Sequence, residues 1–135
     1  MDLIILIGLP ASGKSTYYRE HFAGTHVHVS KDLLPRGGRQ EPLIEKALKA
    51  GKSVVLDNTN PSAAIRAPLI ALGRRHGARI IGYFFDTDVK TALVRNRQRE
   101  GKARVPDVAL FVTKKKLAPP SYDEGFDEIH VIKND

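Results

Sequence analysis

The sequence predicts an α/β fold, a doubly wound and mostly parallel sheet with helices on both faces. Three observations carry that expectation. Short apolar runs alternate with helical stretches along the whole chain. The runs are continuous, as in strands buried on both faces, and do not show the apolar/polar alternation of half-exposed strands. Directly behind the first run comes a glycine-rich turn, GLPASGKST from Gly8 to Thr16, of the kind that joins a buried strand to a helix.

Taken in order, the first strand falls on residues 3–7, LIILI, and a helix over 15–23 continues the turn. A short strand over 27–29 follows. The next helix, 41–50, stops at Gly51, and a third strand occupies 54–56. Helix 62–76 stops at Gly77, strand 80–85 follows it, and helix 88–100 stops at Gly101. A last helix over 107–117 precedes Pro119, and a fifth strand covers 129–132. Glycine just past a helix and proline soon after one are stop signals, which fixes most of these ends. Residues 35–40, with Gly37 and Gly38, and 118–125, with Pro119 and Pro120, read as loops.

At 135 residues the chain has the length of one domain, 1–135, with a core of useful size. It contains no cysteine, which excludes disulfide frameworks and zinc–thiolate sites and suits a cytoplasmic setting. The N-terminal apolar run has Asp2 where a signal peptide has basic residues, and it is too short to span a bilayer, so no membrane association is expected. A formal charge of +7 favours a polyanionic partner. Arg95, Arg97, Arg99, Lys102 and Arg104 crowd one stretch, and Arg36 and Arg39 flank a glycine pair. Lys114 to Lys116 suit the solvated, negative end of a helix dipole.

The turn after the first strand matches G-x-x-x-x-G-K-S/T, a phosphate cradle made of backbone N–H groups. Gly8 and Gly13 supply backbone conformations that a side chain forbids. Lys14 offers a cation to the β- and γ-phosphates, Ser15 a hydroxyl to Mg²⁺, and Thr16 a hydroxyl near the α-phosphate. With Ala11 and Ser12 these residues form the expected ATP-binding set. In open parallel sheets ligands sit at the carboxyl ends of the strands, which singles out Asp32 after the second strand and Asp57 after the third. A carboxylate there can accept a proton from an attacking hydroxyl or hold water around Mg²⁺. Asp32 is read as the general base, and Asp57 as serving the metal's outer shell or orienting substrate beside Thr59. The alternatives are that Asp32 caps a helical turn and that Asp57-Asn58 is turn chemistry. Asn60-Pro61-Ser62 reads as a turn into the next helix.

Arg95 and Arg99 stand at i and i+4 of helix 88–100, on one face, with Gly101 as a hinge. Such a pair on a lid spanning about 88–104 can close over transferring phosphate and stabilise its charge. Thr87 or Asp88 reads as the helix N-cap. His26 and His28, two apart, read as packing or surface residues, since nothing nearby completes a metal ligand set. Tyr17 and Tyr18 read as packing.

Taken in order, GLPASGKST, VHVSKDLL, VVLDNTNP, LVRNRQREGKARVP and the terminal AP…EGF…I resemble the kinase domain of polynucleotide kinase/phosphatases, over nearly the whole chain. The resemblance implies transfer of the γ-phosphate of ATP to a 5′-hydroxyl of DNA or RNA, with Mg²⁺. It implies Lys14 and Ser15 as the loop residues, Asp32 as the base, and Arg95 and Arg99 as the lid arginines, Lys14 and Arg99 joining Asp32 in catalysis. Where phage-type members carry an acceptor-gripping arginine three places past the base, this chain has Pro35, with Arg36 next; Arg36 is the expected acceptor contact. Tyr122 or Phe126, in the family's late loop, is expected against the adenine. The family's phosphatase motif D-x-D-G-T is imitated by Asp86-Thr87-Asp88, but Val89 and Lys90 replace its glycine and threonine, so no phosphatase activity is expected. Family habit also implies separately encoded end-processing or ligase enzymes as partners. Two other functions use the same residues: a small-molecule kinase with a different acceptor pocket, and a nucleotide-switched binding module that transfers nothing.

Overall fold

A computed structural model describes residues 1–133. Five strands, β1 (Asp2–Gly8), β2 (Val27–Val29), β3 (Val54–Asp57), β4 (Arg79–Phe85) and β5 (Glu128–Ile132), form one sheet in the order β2-β3-β1-β4-β5. Every pairing is parallel, so the sheet is wholly and not just mostly parallel. Among the described residues five α-helices connect the strands: α1 (Lys14–His21), α2 (Glu41–Lys49), α3 (Ala63–Arg75), and, both between β4 and β5, α4 (Val89–Arg97) and α5 (Asp107–Lys116).

The continuous apolar runs are explained by this layering. Along β1 the side chains alternate between two buried faces. Leu3, Ile5 and Ile7 join Val54, Leu56 and Ile80 in a core closed by Ile44 and Leu48 of α2 and Leu69, Ile70 and Leu72 of α3. Ile4 and Leu6 join Val55, Ile81 and Phe85 on the opposite face, closed by Tyr18 of α1 with Tyr17 and Phe22 beside it. A smaller cluster of Leu9, Ala92 and Leu110 seats α4 and α5 beside the glycine-rich turn.

Two expectations are corrected. The helix expected over 88–100 ends at Arg97, with Gln98 as its cap. Arg99 therefore lies in the turn beyond the helix, its N–H donating to the Asn96 carbonyl, and not on a helical face with Arg95. Phe126 is buried at 4 % exposure within the core. It covers Gly82, where an added Cβ would lie 2.9 Å from the ring, so it fills the space over the sheet and cannot meet an adenine. Tyr122, in a short 3₁₀ turn, is exposed.

Candidate active site

Sequence dictates the glycine-rich turn at two positions. Gly13 has φ 95°, a left-handed conformation that costs other residues energy. Gly8 is required for space: a Cβ there would stand 2.9 Å from both Phe85 Cβ and Ser12 Oγ. Ala11 also has positive φ, 62°, so a non-glycine residue carries part of the left-handed geometry. The Gly8 N–H donates to the Thr59 carbonyl at 3.1 Å, tying the turn to the segment after β3. Thr59 thus reaches the site through its backbone. Thr16, at the exposed start of α1, accepts from Arg19 at 3.2 Å.

Lys14 is buried, and its Nζ donates to the carbonyls of Gly8 at 3.0 Å and Leu9 at 2.6 Å and to Ser12 Oγ at 3.3 Å. Burial lowers its pKa to about 8, with Asp57 opposing that shift, Arg99 reinforcing it and Asp32 opposing it. Three residues from β3, the α4–α5 connection and the turn after β2 therefore act on one ammonium. Because the folded pKa lies below the unfolded value of 10.5, the unfolded chain binds the proton more tightly across that window. Lys14 then adds stability to the unliganded protein as pH rises from about 8. Anionic ligands need the ammonium, so the sign for ATP is opposite. ATP affinity is expected to fall by up to about tenfold per pH unit above the Lys14 pKa. Calorimetric titration between pH 7 and 9.5 tests this, and a profile unchanged in Lys14→Met would refute it.

Ser15 Oγ donates to Asp57 Oδ2 at 2.7 Å, and His28 Nε2 lies 2.8 Å from the same oxygen. Asp57 is buried. A hydroxyl and a carboxylate side by side at a helix N-terminus fit Mg²⁺, which takes oxygen ligands and keeps several waters or phosphate oxygens. His26 and His28 do not converge: His26 packs on Phe22 and meets Thr25 Oγ1, while His28 reaches Asp57.

Asp32 lies exposed in a short 3₁₀ turn, Lys31–Leu33. Ser30 is that turn's cap, accepting from the Asp32 N–H at 3.3 Å, so capping is not the Asp32 carboxylate's task. Asn58, for which turn chemistry was one expected reading, braces this segment. Its Oδ1 accepts from the Lys31 N–H at 2.8 Å and its Nδ2 donates to Gln40 Oε1 at 2.9 Å. One side chain thereby ties together both ends of the loop between β2 and α2. Within that loop is a cavity of about 420 Å³ lined by Lys31, Arg36, Arg39, Gln40 and the Gly37–Gly38 backbone.

The turn after β3 is equally bound. Asn60, with φ 43°, is buried and donates to the Leu6 carbonyl at 2.8 Å. Ser62 caps α3 by accepting from the Ile65 N–H. On the lid side, Asp88 caps α4 by accepting from the Thr91 N–H at 2.7 Å. Arg95 and Arg99 are half-buried, and Arg97 pairs with Asp107 at 3.1 Å. Asn96, wholly buried, donates to the Val105 carbonyl at 2.6 Å and accepts from its N–H at 3.0 Å. That reciprocal pair closes the loop carrying Arg99. Asn58, Asn60, Asn96 and His28 thus build the site although none was assigned a site role from the sequence. The partners of His28 and Asn58 lie 18 to 29 positions away and Asn60 reaches Leu6 across 54, while Asn96 closes a nine-residue span to Val105.

Over residues 37–120 the chain matches a family model described as an AAA domain. It is 30% identical over 138 residues to a protein of Acanthamoeba polyphaga mimivirus named as a bifunctional polynucleotide phosphatase/kinase, across 97% of this chain and 33% of that one. The bifunctional polynucleotide phosphatase/kinase of Schizosaccharomyces pombe is 27% identical over 135 residues, with the same coverage of 97% and 33%. The chain thus spans about a third of the length of these curated relatives. Among solved structures, a fungal RNA kinase has a TM-score of 0.73 at 17% identity, covering 99% of this chain and 78% of that one. A Janibacter sugar kinase gives 0.71 at 17%, over 98% and 85%. Chaetomium thermophilum Kti12 in complex with ADP-AlF3 gives 0.70 at 18%, over 98% and 89%. At these identities the structural likenesses establish the fold.

Proposed function

On the premise that the chain belongs to the AAA domain family and is a P-loop kinase domain resembling those of polynucleotide phosphatase/kinases, we propose that it transfers the γ-phosphate of ATP to the 5′-hydroxyl end of DNA or RNA. The observation that supports this most is the Lys14 ammonium held inside the glycine-rich turn by the Gly8 and Leu9 carbonyls, with the Ser15 hydroxyl on Asp57 at 2.7 Å beside it. The charges of Asp57, Arg99 and Asp32 also act on that ammonium. A base, a metal-side carboxylate and a lid cation about one phosphate cradle are the parts that phosphoryl transfer needs.

In this reading Gly8, Ala11, Ser12, Gly13 and Thr16 wrap the triphosphate, with Lys14 on its outer phosphates. Ser15, with Asp57 behind it, would hold Mg²⁺, which would supply charge neutralisation to the triphosphate. Asp32 accepts the acceptor hydroxyl's proton as the new O–P bond forms and the bond to the departing ADP breaks. Arg95 and Arg99 stabilise the charge on the departing side. Arg36, Asp57 and Thr59 border the acceptor, and the cavity that Lys31, Arg36 and Arg39 line in the loop after β2 receives its end. The domain works as one unit, 1–135, with residues 88–104 as lid. A cytoplasmic setting and separately encoded end-processing or ligase partners complete the reading. Among the described residues no helix is long and apolar enough to cross a membrane.

The small-molecule alternative draws on the sugar-kinase likeness and on a cavity of only about 420 Å³. Transfer of label from γ-labelled ATP with Mg²⁺ to a 5′-hydroxyl oligonucleotide, beside its 5′-phosphorylated counterpart, tests the main reading. Label on the 5′-hydroxyl strand alone, with a KM that rises steeply with salt, is the expected result. Tight ATP binding with neither DNA nor RNA labelled would sink it and turn attention to small hydroxyl acceptors.

A further inference from the structure

We infer that His28 is a positioning residue for the divalent-metal site, holding Asp57 in the orientation from which it accepts the Ser15 proton. The inference rests on the assignment of Ser15 and Asp57 to the metal side of the site. His28 is the middle residue of β2, an edge strand, in register with Val55 of β3. Asp57 follows two residues along β3, at its carboxyl end.

The imidazole is fixed on two sides. Its ring stacks on Tyr18, with centroids 4.0 Å apart and planes at 15°, and the Tyr18 hydroxyl is itself committed to the His26 carbonyl at 2.7 Å. Its Nε2 stands 2.8 Å from Asp57 Oδ2. An ionised carboxylate can only accept, so the ring N–H at Nε2 is the donor. The same Oδ2 receives the Ser15 hydroxyl at 2.7 Å. One carboxylate oxygen thus takes two donors, one from β2 and one from α1, which fixes the plane of the group.

The consequence falls on Ser15. A serine hydroxyl has one proton and two lone pairs. With its proton directed to Asp57, the lone pairs are what remains for a cation. Asp57 is buried, so water has little access to replace a lost His28 donor, and the carboxylate would turn to find another partner. Outer partners of metal ligands typically alter metal affinity by about 10- to 100-fold. His28 acts one bond further out than Asp57, which argues for the lower end.

Two variants separate the hydrogen bond from the packing. His28→Phe keeps a ring against Tyr18 without the donor; His28→Gln keeps an N–H donor without the ring. ADP affinity is measured by calorimetry with and without Mg²⁺, and the ratio reports how strongly metal and nucleotide reinforce each other. In His28→Phe that ratio is expected to fall about tenfold, with metal-free ADP affinity unchanged, and in His28→Gln to stay within about threefold of wild type. Unchanged metal-free affinity also shows that the variant is folded. Retention of the full ratio in His28→Phe, or equal losses in both variants, would overturn the inference. Wild-type protein that binds no ADP would instead bring down the nucleotide-site reading, and this inference with it.

Discussion

Asp32→Asn is expected to lower kcat by about 10²- to 10⁴-fold while ATP still binds. The substitution keeps the side chain's size and removes its ability to take a proton. The 3₁₀ turn itself should persist, because it is held by the Ser30 hydroxyl and by Asn58 on the Lys31 N–H, and neither bond uses the Asp32 carboxylate. A second effect follows from electrostatics. Asp32 is one of the groups that raise the Lys14 pKa against burial, so neutralising it lets that pKa drop further. The pH at which ATP affinity begins to fall should therefore move to lower values in Asp32→Asn. Single-turnover transfer from labelled ATP measures the first effect, and calorimetry across pH the second. Retained turnover with a displaced affinity profile would remove Asp32 from the base role and leave it an electrostatic one. Unimpaired function despite lost charge would favour a nucleotide-switched module.

Local signals made the frame of this molecule legible. Continuous apolar runs marked strands buried on two faces, and Gly51 and Gly77 marked where α2 and α3 stop; Gly101 did not, since α4 ends at Arg97. All five strands and all five helices fall within a few residues of their expected places. The cradle was legible because its residues are contiguous from Gly8 to Thr16. What escaped was built by contacts across sequence. Arg99 lies outside α4 because Asn96 turns inward to Val105 and folds the chain back, a constraint that no helix propensity records. Phe126 stands in the family's late loop, yet the missing side chain at Gly82 draws it into the core. His28 looked like packing because its partner Asp57 is 29 positions away. Asn58 looked like turn chemistry because its two partners lie on a different loop.

Arg66 gives the largest expected change in stability, and nothing in its sequence context announced it. It is wholly buried in α3. Its Nε and Nη2 donate to the two carboxylate oxygens of Glu124 at 2.8 and 3.0 Å, and Nη1 donates to the carbonyls of Asn60 at 2.9 Å and Ala118 at 3.0 Å. One guanidinium thus joins α3, the turn after β3 and the loop before β5. Arg66→Ala leaves a nearly buried carboxylate without its cation and two carbonyls without donors. Breaking such a pair from one side costs about 3–5 kcal/mol, a large part of the roughly 5–15 kcal/mol that holds a domain together. A fall in Tm of about 10 °C or more is expected. The pair's net value is smaller than that cost, since a buried ion pair loses hydration that its attraction must offset. Arg66→Met with Glu124→Leu should therefore be less destabilising than Arg66→Met alone, which a double-mutant cycle measures directly. Acid gives an independent check. Burial pushes the Glu124 carboxyl up, but the Arg66 hydrogen bond, the Ser121 N–H and the Arg66 charge outweigh it and hold it below its usual value of 4.5. A depressed carboxylate stabilises the fold above its unfolded pKa and loses that contribution as pH falls through the folded one. Wild-type stability should thus decline below about pH 4.5 more steeply than that of the double variant. Equal acid profiles would mean that the pair contributes structure without linkage. Because Asn60 also donates to the Leu6 carbonyl beside the phosphate cradle, Arg66→Ala should weaken ATP binding even at temperatures where the variant remains folded.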